Sequence, residues 1–205
     1  MVVQTETAGM RDRILTEAAR RFVNHGYNGI SMREIAEACG ITKAALYYHF
    51  KDKEDLILAI LDSYLVEMDA TVRDCRLQGG TAHQQLLRVT QAIFSQLPEK
   101  RSTIRLAMQE MPNLSAEARQ RFGLVYHMKF IGQFEEILAQ GVDLGEFRPM
   151  EVHLSVWILL GMMYPFFYPA QERDGLDVGR ALQAILQIFF EGIDHHEYRG
   201  SLDQA

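Results

Sequence analysis

Residues 14–50 read ILTEAARRFVNHGYNGISMREIAEACGITKAALYYHF, and this stretch decides the fold. At its centre, Ser31-Met32-Arg33-Glu34 has the pattern of a capping box. The Ser31 hydroxyl accepts a backbone N–H at the helix start, and Glu34 reaches back to the amide of the capping residue. Ile35 and Ala36 face inward, and the short helix stops at Cys39-Gly40, where glycine takes a left-handed turn without a Cβ clash. Thr42 then caps a second helix running from Lys43 to about His49. Two helices joined by a short glycine-containing turn form a helix-turn-helix, which lays its second helix in a DNA major groove.

The residue types on that second helix suit such a role. Ala44 and Ala45 are small, so the backbone can approach base edges closely, while Leu46 faces inward. Thr42, Lys43, Tyr47, Tyr48 and His49 offer donors for phosphates and bases. Phe22, Ile35, Ala36, Ile41, Leu46 and Phe50 are assigned to the core by their spacing. Tyr47, Tyr48 and His49 are consecutive and cannot all face one core, so at least one is exposed. Asp52 begins a further helix with Lys53 in its first turn, where the helix dipole disfavours a cation unless a phosphate lies beside it.

Working outward, the charge is uneven. Residues 1–53 hold eight Lys/Arg against six Asp/Glu, a net +2, and the remainder carries −8, giving −6 for 205 residues. A mildly positive head on an acidic body fits contact with DNA at one end only and argues against general coating of nucleic acid. The two cysteines, Cys39 and Cys75, give no disulfide framework and are expected as reduced thiols. Residues 1–13 lack the apolar core of a secretory signal and read as a frayed polar tail. A cytoplasmic location is therefore expected.

Past residue 57 the chain shows helical periodicity throughout and no alternating strand pattern. Helices are predicted over about 52–76, 82–97, 99–111, 115–141, 150–164 and 176–195, so the fold class is all-α with about nine helices. The domains divide as 1–50, a tail and a helix-turn-helix head, and 51–205, a helical body. Residues 154–170 are nearly free of polar side chains, but Pro165 and Pro169 interrupt their end and no Lys/Arg cluster flanks them. A helix apolar on all sides is more simply one that packs on its own domain and on a partner. In the last helix Leu182, Ile185, Leu186, Phe189 and Ile193 form one stripe, with Ala181, Ala184 and Ile188 on an adjoining face.

The head closely resembles the DNA-binding domain of the tetracycline-repressor (TetR) family over roughly residues 10–57. The match runs through Ala18-Ala19-Arg20-Arg21-Phe22, Gly26-Tyr27, Ser31-Met32-Arg33-Glu34-Ile35-Ala36, Gly40-Ile41-Thr42-Lys43, Leu46-Tyr47-Tyr48-His49-Phe50 and Lys53-Glu54-Asp55-Leu56. The resemblance implies DNA contacts by Thr42, Lys43, Tyr47, Tyr48, His49 and Lys53, with Ser31 and Arg33 on backbone phosphate and Ala44 close to the bases. It implies a homodimer paired through the last two helices, with Trp157, Leu182, Ile185, Leu186, Phe189 and Ile193 at the interface. It also implies an effector pocket, for which Phe94, Met108, Met111, Tyr126, Phe130, Phe134, Trp157, Met162 and Phe166 are the candidate walls. Gln109, Glu110, His127 and Arg105 are its possible polar members. These walls suit an apolar or aromatic compound, and ten methionines favour an adaptable cavity.

The resulting expectation is a repressor that binds a palindromic double-stranded operator and is released by a small effector. The alternative is a DNA-binding regulator without a small ligand, acting as an activator or answering to a protein. No cofactor and no membrane partner are expected. No enzyme is expected either, because the chain has no glycine-rich phosphate loop, no G-x-S-x-G and no H-E-x-x-H. His195-His196 with His153 or His127 are potential metal ligands, but adjacent histidines point to different faces of a helix, so no metal is expected.

Overall fold

The computed structural model describes residues 2–167 and 177–193, with side chains omitted for residues 2–8, 98 and 99. Ten α-helical segments follow in order: α1 (Val2–His25), α2 (Met32–Ala38), α3 (Lys43–His49), α4 (Lys53–Leu77), α5 (Ala82–Phe94), α6 (Pro98–Glu110), α7 (Ala116–Tyr126), α8 (Gly132–Asp143), α9 (Val152–Met163) and α10 (Val178–Ile193). A five-residue π turn, His127–Ile131, joins α7 to α8 without a break, so the described residues form nine helical rods. They contain no strand. Pro169 and the His195-His196 pair lie outside the described residues.

Side-chain caps set most of the boundaries. Ser31, Thr42, Asp52, Thr81 and Ser115 each accept a hydrogen bond from the backbone N–H three residues on, satisfying one of the donors a helix start leaves unpaired. The α2 capping box is complete: Glu34 Oε2 accepts from the Ser31 amide at 2.8 Å and from its hydroxyl at 2.6 Å. These bonds hold the Glu34 carboxyl below its usual range, the Ser31 side-chain bond most of all. Gly26 and Gly40 supply the left-handed turns that end α1 and α2, at φ +74° and +66°.

Ile14, Ala18, Phe22, Ile35, Ala36, Leu46 and Phe50 are completely or almost completely buried and make the core of the head. α4 links this core to the rest. Leu56, Ile57, Ile60, Leu61, Leu65, Met68 and Val72 are buried along its length, and it packs on α1, α5, α6, α7 and the π turn.

Four expectations are corrected. Where a frayed tail was expected over 1–13, residues 2–13 are helical, α1 beginning at Val2, since nothing there is proline and Gly9 alone does not stop a helix. α5 ends at Phe94 rather than near 97. The single helix expected over 115–141 is continuous, but its register shifts at the π turn His127–Ile131. The stripe Leu182, Ile185, Leu186, Phe189 and Ile193 faces the chain's own core, each at 8% exposure or less. The adjoining face is the free one, with Ala184 exposed and Ile188 63% exposed. Two apolar faces on one helix give no sequence signal for which turns inward.

Close packing of α8 on α5 depends on Gly141. A Cβ there would lie 2.2 Å from the buried Phe147 ring and 2.9 Å from Ala82 Cβ. Gly141→Ala is expected to lower stability by about 1–3 kcal/mol, the usual cost of overpacking, seen as a lower urea midpoint. An unchanged midpoint would show that this contact is not tight.

Candidate nucleic-acid interface and effector cavity

α3 presents the residues that the sequence singled out. Leu46 is fully buried and anchors the helix to the head, while Thr42 caps it by accepting from Ala45 N at 3.1 Å. Tyr48 is 81% exposed and Tyr47 42% exposed. Such exposure of two large aromatics on a short, well-anchored helix has no packing explanation among the described residues. His49 is half-buried between them and the core, with its ring edge-on to Tyr48 at 5.3 Å. Lys43 and Ala44 are exposed, and the Lys43 ammonium lies 5.6 Å from the Tyr47 ring centroid. This contact orients the cation along the same face.

A groove beside α3 is lined by Asn28, Gly29, Ile30, Ser31, Met32, Arg33, Glu34, Lys43, Tyr47 and Lys53. It brings five of the expected contact residues together. Arg33 pairs with Glu37 at 2.8 Å, and both are well exposed, so the pair holds Arg33 only weakly. Lys53 is placed differently from expectation. Its ammonium sits 4.4 Å from the Tyr27 ring centroid, and burial pushes its pKa down. The aromatic face offsets the unfavourable helix-dipole position without any external anion.

Two carboxylates tie the head and the start of α4 to the rest of the body. Glu54, in the first turn of α4, accepts from the Ser115 amide at 2.6 Å and from its hydroxyl at 2.8 Å. Glu110, at the end of α6, is buried; it accepts from Tyr27 N at 3.1 Å and from Asn113 Nδ2 at 2.6 Å. The sequence offers Glu110 only as a polar pocket member; its contact is instead with the loop between α1 and α2.

A cavity of about 220 Å³ opens between α4, α6, α7 and α9. Four of the nine candidate walls line it: Met108, Met111, Tyr126 and Trp157. The other lining residues are Leu61, Tyr64 and Leu65 of α4, Thr103, Ile104 and Ala107 of α6, and Arg119, Phe122 and Gly123 of α7. Phe94, Phe130, Phe134, Met162 and Phe166 lie elsewhere. Phe94 stacks on Phe167 at 5.0 Å, and Phe130 and Phe134 pack edge to face at 5.1 Å as core. Gln109, Arg105 and His127 are not on the lining either; Arg119 and Thr103 supply the polar character instead. Burial pushes the Tyr64 and Tyr126 phenols well above their usual pKa, and the Tyr64 hydroxyl donates to Gln96 Oε1 at 3.2 Å. The missed signal was the spacing 103, 104, 107, 108, 111, an amphipathic stripe with the small Ala107 at its middle.

Residues 14–60 match the family of bacterial regulatory proteins called tetR, and residues 79–165 match the tetracyclin repressor-like C-terminal domain. The chain belongs to the tetR family. The transcriptional repressor KstR2 of Rhodococcus jostii is 26% identical to this regulator over 187 residues, 91% of this chain and 92% of that protein. PfmR, a TetR family regulator of Thermus thermophilus, superposes with a TM-score of 0.74 at 26% identity, over 89% of this chain and 100% of that one. AibR, solved with isovaleryl coenzyme A and operator DNA, gives 0.75 at 25% identity, over 88% and 98%. This regulator is thus a ligand-responsive, DNA-binding transcriptional repressor and not an enzyme. No helix among its described residues is long and apolar enough to cross a membrane.

The Glu110 contact can be tested by stability. Glu110→Ala leaves the Tyr27 amide without its acceptor and is expected to cost about 1–3 kcal/mol, measured by chemical unfolding. A loss within about 0.5 kcal/mol, as for an ordinary surface change, would show that the amide finds water instead.

Proposed function

We propose that two copies of this chain read a palindromic operator through α3 and release it when a small apolar or aromatic effector enters the α4–α6–α7–α9 cavity. The exposure of Tyr48 beside Lys43 carries the reading of the DNA face. In this proposal Thr42, Lys43, Tyr47, Tyr48 and His49 meet bases and phosphates, and Ala44 allows the close approach. Ser31, Arg33 and Lys53 line the neighbouring groove on the phosphate backbone.

Homodimerisation is supported by the apolar face that α9 and α10 leave uncovered. Leu154 is 55%, Trp157 41%, Ile158 50% and Ile188 63% exposed. Contiguous exposed apolar side chains of this kind mark protein–protein contact. Two-fold pairing there makes a four-helix bundle and sets two α3 helices about 34 Å apart, one turn of DNA.

The cavity favours a sensor over a regulator without a ligand. Its walls suit an apolar body, and Arg119 brings a cation to the lining. Because AibR was solved with isovaleryl coenzyme A, short acyl thioesters are the first compounds to screen. α6 supplies the means of release: it contributes Thr103, Ile104, Ala107 and Met108 to the cavity and, through Glu110, holds the Tyr27 amide of the head. An effector that displaces α6 therefore moves the head, together with α4. A coupling of about 1–3 kcal/mol would weaken DNA binding roughly 5–150-fold.

Selection of bound DNA from a random library tests the reading, with Tyr48→Ala and Lys43→Ala in parallel. A palindrome is expected with the native protein and no enriched sequence with Tyr48→Ala. Lys43→Ala is expected to bind more weakly and to flatten the salt dependence by about one charge. Equal enrichment by Tyr48→Ala would remove α3 from base reading.

A further inference from the structure

We propose that His127, Glu135 and His153 form a binding site for a divalent transition metal of the zinc type. The three residues come from separate segments: the π turn, the first turn of α8 and the start of α9. One donor atom of each lies within 4.8 Å of the other two. His153 Nδ1 is 2.5 Å from Glu135 Oε1, and His127 Nε2 is 3.4 Å from Glu135 Oε2. Both oxygens of one carboxylate are thus matched by imidazole nitrogens. Two histidines and a carboxylate, with a fourth position for water, is a recurring zinc set. Tetrahedral zinc bonds of about 2.0–2.1 Å place donors about 3.3 Å apart. The imidazoles are 53% and 55% exposed, so small side-chain rotations close the remaining gap.

The π turn explains how the cluster arises. In a regular α-helix, residues eight apart such as His127 and Glu135 point about 80° away from each other. A π turn bonds i to i+5 and rotates less per residue, which returns the two side chains to one face. Gly132 closes this turn, where a Cβ would lie 3.2 Å from the His127 carbonyl oxygen. Such π turns are frequent at functional sites.

Trp157 ties the site to the cavity. Its Nε1–H donates to His153 Nε2 at 3.0 Å. Indole nitrogen can only donate, so His153 Nε2 accepts and the ring proton sits on Nδ1, facing Glu135. A metal at Nδ1 displaces that proton, and the neutral imidazole then carries its proton on Nε2. Two donors face each other and the Trp157 bond is lost. Trp157 is the single tryptophan of the chain and lines the cavity, so occupancy of the metal site alters one cavity wall. This last link rests on the effector reading of the cavity; the metal site itself does not.

The competing explanation is that the trio only pins α9 to α8. Full-length protein stripped with a chelator is titrated with zinc chloride, followed by calorimetry and by indole emission. One saturable event per chain with an emission change is expected, and none with magnesium chloride, because imidazoles select the softer cation. His127→Ala and Glu135→Gln, both with native helical content by circular dichroism, are expected to bind zinc about tenfold or more weakly, at least the loss that removing an outer-sphere partner brings. Absence of saturable zinc binding overturns the proposal, as does unchanged affinity in both variants, which would locate the metal elsewhere. Neither result requires DNA, so operator reading stands or falls separately.

Discussion

The buried face of α4 is the constraint on which the rest of the molecule depends. A 25-residue helix carries apolar side chains that join the buried residues of the head and of the body in one continuous core. Its N-terminal end is part of the head, and Leu61, Tyr64 and Leu65 form cavity wall. The helix cannot move for one domain without moving for the other. Tight interiors pass such displacements on, because packed side chains have few alternative arrangements. Glu110 adds a directional bond across the same boundary, from Tyr27, and Glu54 fixes the start of α4 to Ser115. In the proposed function, an effector in the cavity and DNA at α3 act on one connected element, which is what reciprocal coupling between sites requires.

The head was legible in the sequence because local chemistry fixes it. The cap at Ser31, the glycine at 40 and the cap at Thr42 each determine a backbone conformation within three or four residues, and no distant partner can reverse them. The alternation of buried Leu46 with exposed Tyr47 and Tyr48 follows directly from helical geometry. The body was legible in its helices and less so in its faces. Phe94, Phe130 and Phe134 are as large and apolar as true cavity walls, and only long-range packing decides that they fill core while Met108 and Trp157 border open space. In α10 both faces are apolar, so the inward stripe and the free one exchanged places. The role of Glu110 was hidden because its partner is a backbone amide 83 residues away, which no side-chain pattern announces.

The π turn shows a third kind of information. Nothing in residues 127–131 distinguishes it from ordinary helix by composition. It nonetheless changes the register of everything after it, bringing His127 over Glu135 and setting α8 against α9. A helical wheel drawn through residues 116–143 misplaces these side chains, and with them the polar cluster that meets Trp157.

The central claim is that two α3 helices, held by one dimer, read two half-sites on the same face of DNA. Affinity for the selected operator, compared with a version carrying five extra base pairs between the half-sites, tests it most directly. Half a turn of DNA rotates one half-site to the opposite face, so affinity is expected to fall to the non-specific level, about a thousandfold or more. Equal affinity for both operators would contradict the account, since each head would then be binding alone.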